Sequence, residues 1–407
     1  MATLHPFRAL RPTPDQASAV AAVPYDVVST AEARALAADE PLSFLRVSRP
    51  EIEFPADQDP YADAVYEAAV RQFARLRAAA PLVEEATASV YVYRLRMGSH
   101  EQSGVAACFS VDEYEHDVIR KHERTRKDKE DDRTRHIIEL RAQTGPVFLT
   151  YPASGDVDRA VARTVSDPPL FYFTAADGVQ HTVWRASDAL GDSLVAAFAK
   201  VPLLYIADGH HRAASAMRAR QTLRERTPGE GALEADTFLA VAFPHDQTQI
   251  LPYHRVVGDL AGYTPALWLE ALAGRVGVTP GTDTPDGPGE VAMYLAGQWY
   301  TLRLAPAAPD TPAADRLDVS LLHGQVLGPL LGVGDPRTDK RIDFVGGIRG
   351  PGALAARVDE GAAAVAFAIY PVSVDDLMRI ADSGGIMPPK STWFEPKLRD
   401  GLLTHLI

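Results

Sequence analysis

Apolar and polar positions along the chain change period often, and short apolar runs alternate with amphipathic stretches without an even repeat. Residues 4–29 read as extended, because Pro6, Pro12, Pro14 and Pro24 break any helix there. A helix is predicted over 31–38 and a longer amphipathic one over 59–80. Residues 90–97 and 104–111 read as a hairpin around 98–103. A long charged helix is predicted over roughly 112–142. Strands follow at 147–151, 170–174 and 179–184, the last two joined through Asp177-Gly178. Residues 202–206 read as a short buried strand, and 213–226 carry a helix-forming mixture of Ala, Met, Leu and Arg. A further hairpin is expected from 238–243 and 249–252. Beyond it come a helix at 264–275, strands at 290–295 and 298–304, a Pro- and Ala-rich linker at 306–313, a strand at 363–370 and a helix at 373–383. Strands and helices mixed with hairpins predict an α+β fold with a mixed sheet. Evenly spaced βαβ units are not seen, which argues against a doubly wound nucleotide fold.

Composition narrows the picture. The 407 residues are 46% hydrophobic and 23% charged, ample for a packed core and for two or three domains or one large elaborated one. Cys108 is the sole cysteine, so no disulfide framework exists, and its apolar run makes it a buried thiol. The first ten residues lack the apolar core of a signal peptide, and no stretch is long enough to span a bilayer. A cytoplasmic protein is expected. The formal charge of −13 argues against nonspecific nucleic-acid binding, so any anionic substrate must be drawn in by local basic patches.

The strongest chemical signal is Asp208-Gly209-His210-His211-Arg212, placed between the strand and the helix just described. Backbone N–H groups at a helix start are unpaired and attract anions. Gly209 allows close approach of a ligand, and Arg212 can clamp a phosphate or carboxylate. A plain helix cap would need only Asp208. A zinc site finds little support in the sequence, since adjacent histidines lack the usual spacing and no third ligand is evident.

Four other segments gather polar groups. Asp26 follows Pro24-Tyr25 in an apolar setting, while Ser29 and Thr30 are better placed to cap the next helix. Asp26 is therefore a candidate general base. In residues 120–136 only Thr125 and Thr134 are neither charged nor histidine. This run is either a solvated helix laced with ion pairs or a polyphosphate site built from Lys121, His122, Arg124, Lys129, Arg133 and His136, with Asp131 and Asp132 beside Mg²⁺. Arg337, Lys340 and Arg341 form a basic cluster before Gly346-Gly347. The stiff loop Pro388-Pro389-Lys390-Ser391-Thr392 suits substrate or phosphate capture. No Gly-x-x-x-x-Gly-Lys-Ser/Thr pattern occurs, which sets aside a P-loop enzyme.

Pro24-Tyr25-Asp26, Asp208 to Arg212 and Pro388 to Thr392, in this order, resemble the free-serine kinases of the ParB/sulfiredoxin-like superfamily. The whole chain looks more like a widespread bacterial and archaeal family long labelled as a domain of unknown function, which also has segments like 120–136 and 335–347. The resemblance implies a ParB/sulfiredoxin-like core at 1–50 and 145–260, an inserted segment at 51–144, and a C-terminal α/β domain at 261–407 carrying the substrate loop. It implies phosphoryl transfer to free L-serine, giving O-phospho-L-serine, with Mg²⁺ as cofactor. Asp26 matches the general base, although that position is Glu in the archaeal kinase. Asp208, His210, His211 and Arg212, with Gly209, match the phosphate and metal motif. Tyr25, Lys390, Ser391 and Thr392 match substrate-binding positions. The chain departs from the kinases in Trp393-Phe394, where a basic pair is found, and in its added charged helix. The donor is therefore pyrophosphate, ADP or ATP, and pyrophosphate is expected because the added segments bring cations and no base-stacking slot. Two other readings stay open: a ParB-like nucleotide-binding regulator or scaffold without turnover, and a metal-dependent phosphohydrolase with Asp208, His210 and His211 as ligands.

Overall fold

The hairpin near residue 100 forms the middle of a nine-stranded mixed sheet, and it is tighter than its sequence suggested. Tyr91–Met97 and His100–Ser110 pair antiparallel as far as Met97 opposite His100, so the turn is Gly98-Ser99 alone. Gly98 has φ of +60°, the left-handed backbone such a two-residue turn requires. The computed structural model describes residues 1–79, 82–229 and 231–407. They divide into two compact units, Met1–Thr248 with Pro396–Ile407, and Gln249–Glu395.

In the first unit the sheet runs Ile119–Arg120, Leu204–Asp208, Val147–Tyr151, Thr237–Pro244, His100–Ser110, Tyr91–Met97, Gln180–Arg185 and Phe171–Thr174, with Leu4–His5 paired to His100–Ser110. The pairs Ile119–Arg120 with Leu204–Asp208 and Val147–Tyr151 with Thr237–Pro244 are parallel, and the others are antiparallel. Alternate residues of neighbouring strands, Val105, Ala107 and Phe109, then Phe238, Ala240 and Ala242, then Leu204 and Ile206, share one core face. Ala213, Ala214 and Ala216 of the helix His210–Arg226 pack on that core, and their small side chains let the helix lie close to the sheet. Val83–Glu84, Ala9–Arg11, Thr404–Leu406 and Ala142–Gln143 make a smaller sheet. The amphipathic helix expected over 59–80 runs Asp63–Ala79, and Ala80 lies outside the described residues. The helix Thr30–Ala37 starts on a capping box, with the Ser29 side chain accepting from Glu32 N–H and Glu32 accepting from Ser29 N–H.

The single charged helix expected over 112–142 is broken into three elements. Val111–Glu115 is a short helix, Asp117 takes φ of +56°, and Ile119–Arg120 is a strand before the helix Lys127–Leu140 begins. Fully buried Ile119 explains the break, because its burial and pairing beside Leu204 outweigh the local helical pattern. The break leaves residues 121–126 as a loop beyond a strand that is the parallel neighbour of the motif strand.

The second unit is built on an antiparallel sheet in the order Gly277–Pro280, Gln298–Arg303, Glu290–Leu295, Val365–Ile369, Tyr253–Val257 and Ile342–Gly346. Gln249–Leu251 does not fold back on Thr237–Pro244 as expected; it pairs with Trp393–Glu395. The segment read as a linker, 306–313, lies inside this unit. Helices with mixed parallel and antiparallel sheets make the fold α+β, as the sequence predicted.

Candidate functional site

The motif strand is Leu204–Asp208 and the helix that follows is His210–Arg226, so both histidines and Arg212 occupy the first helical turn. Gly209 makes the corner with φ of +93°. A side chain there would be strained by the backbone alone, and its Cβ would lie 3.4 Å from Val147 Cα.

Each member of the motif has its own partners. Asp208 Oδ1 accepts from Gly209 N–H at 2.9 Å, and Oδ2 accepts from Lys397 Nζ at 2.9 Å. Burial opposes the Asp208 charge, but Lys397 and Arg212 outweigh it and hold the carboxyl well below the usual carboxylate range. Arg212 is buried, donates through Nη1 to the Pro146 carbonyl at 2.8 Å, and reaches Asp26 through Nη2 at 2.9 and 3.2 Å. Burial works against its charge as well, and Asp26, Asp208 and Asp400 together raise its pKa. His211 Nε2 accepts from Arg126 N–H at 3.0 Å, which leaves the proton of the neutral ring on Nδ1. Burial lowers its pKa, so the ring is neutral near pH 7.

Beneath this layer lies Tyr25. Its ring is 8% exposed, with the Arg133 guanidinium 4.3 Å and that of Arg212 5.8 Å from its centroid. It therefore serves as a platform for two cations. Tyr25, Arg133, Arg212 and Asp400 line a cavity of about 40 Å³. Buried Arg212 Nε and Asp400 Oδ1 have no hydrogen-bond partner, and a space of that size beside them has room for a water. Burial pushes the Asp400 carboxyl up to about 7. Gly145 leaves room for that carboxyl, since a Cβ would meet Asp400 Oδ1 at 2.8 Å.

The basic run divides between this site and the scaffold. His122 and His210 meet edge to face with ring centroids 4.4 Å apart, and His122 N–H points to His210 Nε2 at 3.4 Å. Several expected phosphate ligands are committed elsewhere. Lys121 Nζ donates to the Tyr114 carbonyl at 2.9 Å and pairs with Asp117 at 2.7 Å. Lys129 Nζ reaches Tyr61 Oη at 3.2 Å. Buried His136 bonds the Val47 carbonyl through Nε2 at 2.8 Å, and burial pulls its pKa down to about 4, the behaviour of a core histidine. Arg124 is exposed.

The expected magnesium ligands do not converge. Asp131 is paired with Lys127 at 2.8 Å and with Arg218 at 2.5 Å. Asp132 accepts from Tyr66 Oη at 2.7 Å and from Arg133 at 2.8 Å. Both carboxylates are already neutralised by cations, so this pair does not fit a divalent ion together with Asp208. Among the described residues, the group of His, Cys, Asp and Glu whose ligand atoms all lie within 4.8 Å is instead His122, Glu123 and His210.

Lys390, Ser391, Thr392, Arg337, Lys340 and Arg341 all belong to the second unit. There Lys390 has φ of +57° and its Nζ lies 5.5 Å from the centroid of Tyr253, while buried Ser391 donates to the Pro388 carbonyl at 2.7 Å and Thr392 follows it half-buried. The Ser391 hydroxyl thus closes its own loop. Arg341 donates to the Leu331 carbonyl at 2.8 Å and pairs with Asp339 at 2.9 Å, and Arg337 faces Asp335 at 3.7 Å. Lys340 is exposed.

A family model matches residues 4–320. The chain belongs to the DUF1015 family. Its description is a protein of unknown function. No curated protein matches the chain. Solved structures similar to this DUF1015 chain include SbnI from Staphylococcus aureus with a C-terminal truncation, at 12% identity and a TM-score of 0.36, covering 74% of this chain and 87% of that one. They include a mutant free serine kinase in complex with ADP, at 12% identity and a TM-score of 0.35, covering 74% and 92%. A conserved hypothetical protein from Pyrococcus furiosus has 13% identity and a TM-score of 0.35, covering 74% and 95%. Likeness at this level carries no argument about activity.

The sequence did not disclose Lys397, Asp400 or Glu123 as members of the site. Lys397 and Asp400 sit in a tail with no local pattern, and Lys397 is 189 positions from the aspartate it holds. Glu123 was hidden inside a run of charges. The usable signal was His122 next to an acid, two positions beyond the buried Ile119-Arg120 strand.

Proposed function

We propose that this protein transfers a phosphoryl group from a diphosphate-containing donor, pyrophosphate or the phosphate end of ADP or ATP, to the hydroxyl of free L-serine. The observation that carries this reading is the pairing of Asp26 with Arg212 at 2.9 Å, across 186 residues of sequence, at the start of the helix His210–Arg226. A carboxylate that can orient a hydroxyl is thereby held beside the motif suited to phosphate.

Phosphoryl transfer passes through a loose transition state, so catalysis is mostly positioning and charge stabilisation. In the proposed reaction the serine Oγ forms a bond to the terminal phosphorus, the bridging P–O bond breaks, and the leaving phosphate carries away its electron pair. Asp26 orients the hydroxyl and takes its proton. Both its oxygens face one guanidinium nitrogen, Arg212 Nη2, and the side chain is 33% exposed, so lone pairs stay open to a hydroxyl. The Nδ1–H of His211 and the N–H groups of the first helical turn are suited to the transferring phosphate. Lys397 keeps Asp208 paired, so that a negative substrate does not meet an unshielded carboxylate.

The phosphohydrolase reading built on Asp208, His210 and His211 has less support, because His211 Nε2 is engaged with Arg126 and Asp208 with Lys397. Product analysis after incubation with L-serine and each donor separates the readings. Phosphoserine supports transfer, free phosphate alone supports hydrolysis, and bound nucleotide without turnover supports a regulator.

A further inference from the structure

We propose that His122, Glu123 and His210 form a site for one divalent transition-metal ion of the zinc class, beside the phosphate motif. One ligand atom from each residue lies within 4.8 Å of the others. On a tetrahedral ion with bonds near 2.0–2.2 Å, ligand atoms stand about 3.3 Å apart, so modest side-chain rotation closes the set. Two imidazoles and one carboxylate favour zinc, cobalt or nickel over magnesium or calcium, which take oxygen donors.

The histidine pair has features that packing alone does not supply. His122 is 1% exposed, and both its ring nitrogens are buried without a hydrogen-bond partner of good geometry. A buried polar atom left unsatisfied costs about 1–3 kcal/mol, and an edge-to-face contact with His210 returns nothing to those nitrogens. A metal ion would satisfy one of them. The 3.4 Å contact from His122 N–H to His210 Nε2 is long and easily surrendered. Glu123 is exposed, which gives the ion a path from solvent.

Backbone placement adds to this. His122 and Glu123 follow the strand Ile119–Arg120, which runs parallel to the motif strand Leu204–Asp208, and His210 is the first residue of the helix after it. The ion would tie the 121–126 loop to that helix start. This assignment does not depend on the phosphotransfer reading, because binding is measured without donor or acceptor.

The full-length protein, stripped with a chelator, is titrated with Co²⁺. The expected result is one equivalent bound per chain, with visible d–d absorption that Zn²⁺ bleaches. Loss of a partner that only supports a metal ligand costs about 10–100-fold in affinity, so Glu123→Gln, which removes a ligand, should weaken Co²⁺ at least about tenfold. His122→Ala should abolish the bands, and Zn²⁺ should raise the melting temperature of the wild type but not of this variant. Glu123 is exposed, so Glu123→Gln decides the matter should His122→Ala fail to fold. Absence of the bands in the wild type, or Co²⁺ affinity unchanged in Glu123→Gln, would overturn the site.

Discussion

Arg212 is the residue through which the proposed chemistry passes. It is buried, bound to the Pro146 carbonyl, laid over Tyr25 and paired with Asp26. In the proposed reaction His211 meets the transferring phosphate and Arg212 holds Asp26 at the serine hydroxyl, and both roles act mainly in the transition state, where charge rearranges. Replacing His211 by Ala, or Arg212 by Lys, should therefore lower kcat more than it raises KM for serine. The lysine keeps a charge but cannot reach both Pro146 and Asp26, as the guanidinium does. Steady-state kinetics with serine varied checks this, and a raised KM at constant kcat would move both residues to the amino-acid pocket. His211 and Arg212 could be picked out from the sequence, because five chemically charged or conformationally special positions stood between two apolar patterns. Lys397 and Asp400 could not, since nothing local marks a residue whose partner lies far along the chain.

At the scale of elements, the strand-to-helix corner holds the site. Gly209 has φ of +93° with the Val147 backbone behind it. A non-glycine residue in left-handed backbone costs about 1–2 kcal/mol, so Gly209→Ala should lower the urea midpoint by an equivalent amount at an unchanged m-value. An unaltered midpoint would show that the corner relaxes freely. Element type was largely legible: the hairpin, the motif strand and helix, and the capped helix at Thr30 all follow local periodicity and caps. The break in the charged stretch was not legible. The short strand Ile119–Arg120 exists because of its neighbour Leu204–Asp208, and a two-residue strand carries no period of its own. That same break places His122 and Glu123 where helical spacing would not have put them.

For the molecule as a whole, buried titratable groups set a dependence on pH. Burial draws His122, His136 and His254 down to about 4 and His181 to about 3. A neutral buried histidine contributes stability that is complete above its unfolded value near 6.5 and is lost as pH falls towards 4. Denaturant titrations should show stability falling steeply across that window. Asp400 acts with the opposite sign. Its carboxyl is raised to about 7, so the folded state favours the proton, and stability declines as pH rises from about 4 through 7. The contributions of His122, His136, His181 and His254 are level above pH 6.5, but His405, whose charge burial opposes, is raised by Cys108 and Glu234 to about 9 and adds a second decline from 6.5 upward. Asp400→Asn should make the decline between pH 6.5 and 8 shallower and leave the His405 part, and a slope equal to wild type would show that Asp400 is already ionised when folded.

In the proposed reaction the Asp26–Arg212 pair at the Asp208–Arg212 motif carries phosphoryl transfer to serine. Removing a general base costs about 10²–10⁴ in rate. Asp26→Asn keeps an acceptor for Arg212 but removes a counter-charge of that buried guanidinium, so its melting temperature should fall, and the rates are compared at a temperature where circular dichroism shows the variant folded. The deciding measurement is the rate of O-phospho-L-serine formation from L-serine with pyrophosphate, ADP and ATP in turn, for the wild type and for Asp26→Asn. Phosphoserine is expected from the wild type, with pyrophosphate at least as effective as the nucleotides, and a loss of about 10²-fold or more in a folded Asp26→Asn protein. No phosphoserine from the wild type with any donor, or equal rates in the two proteins, would contradict the proposed reaction.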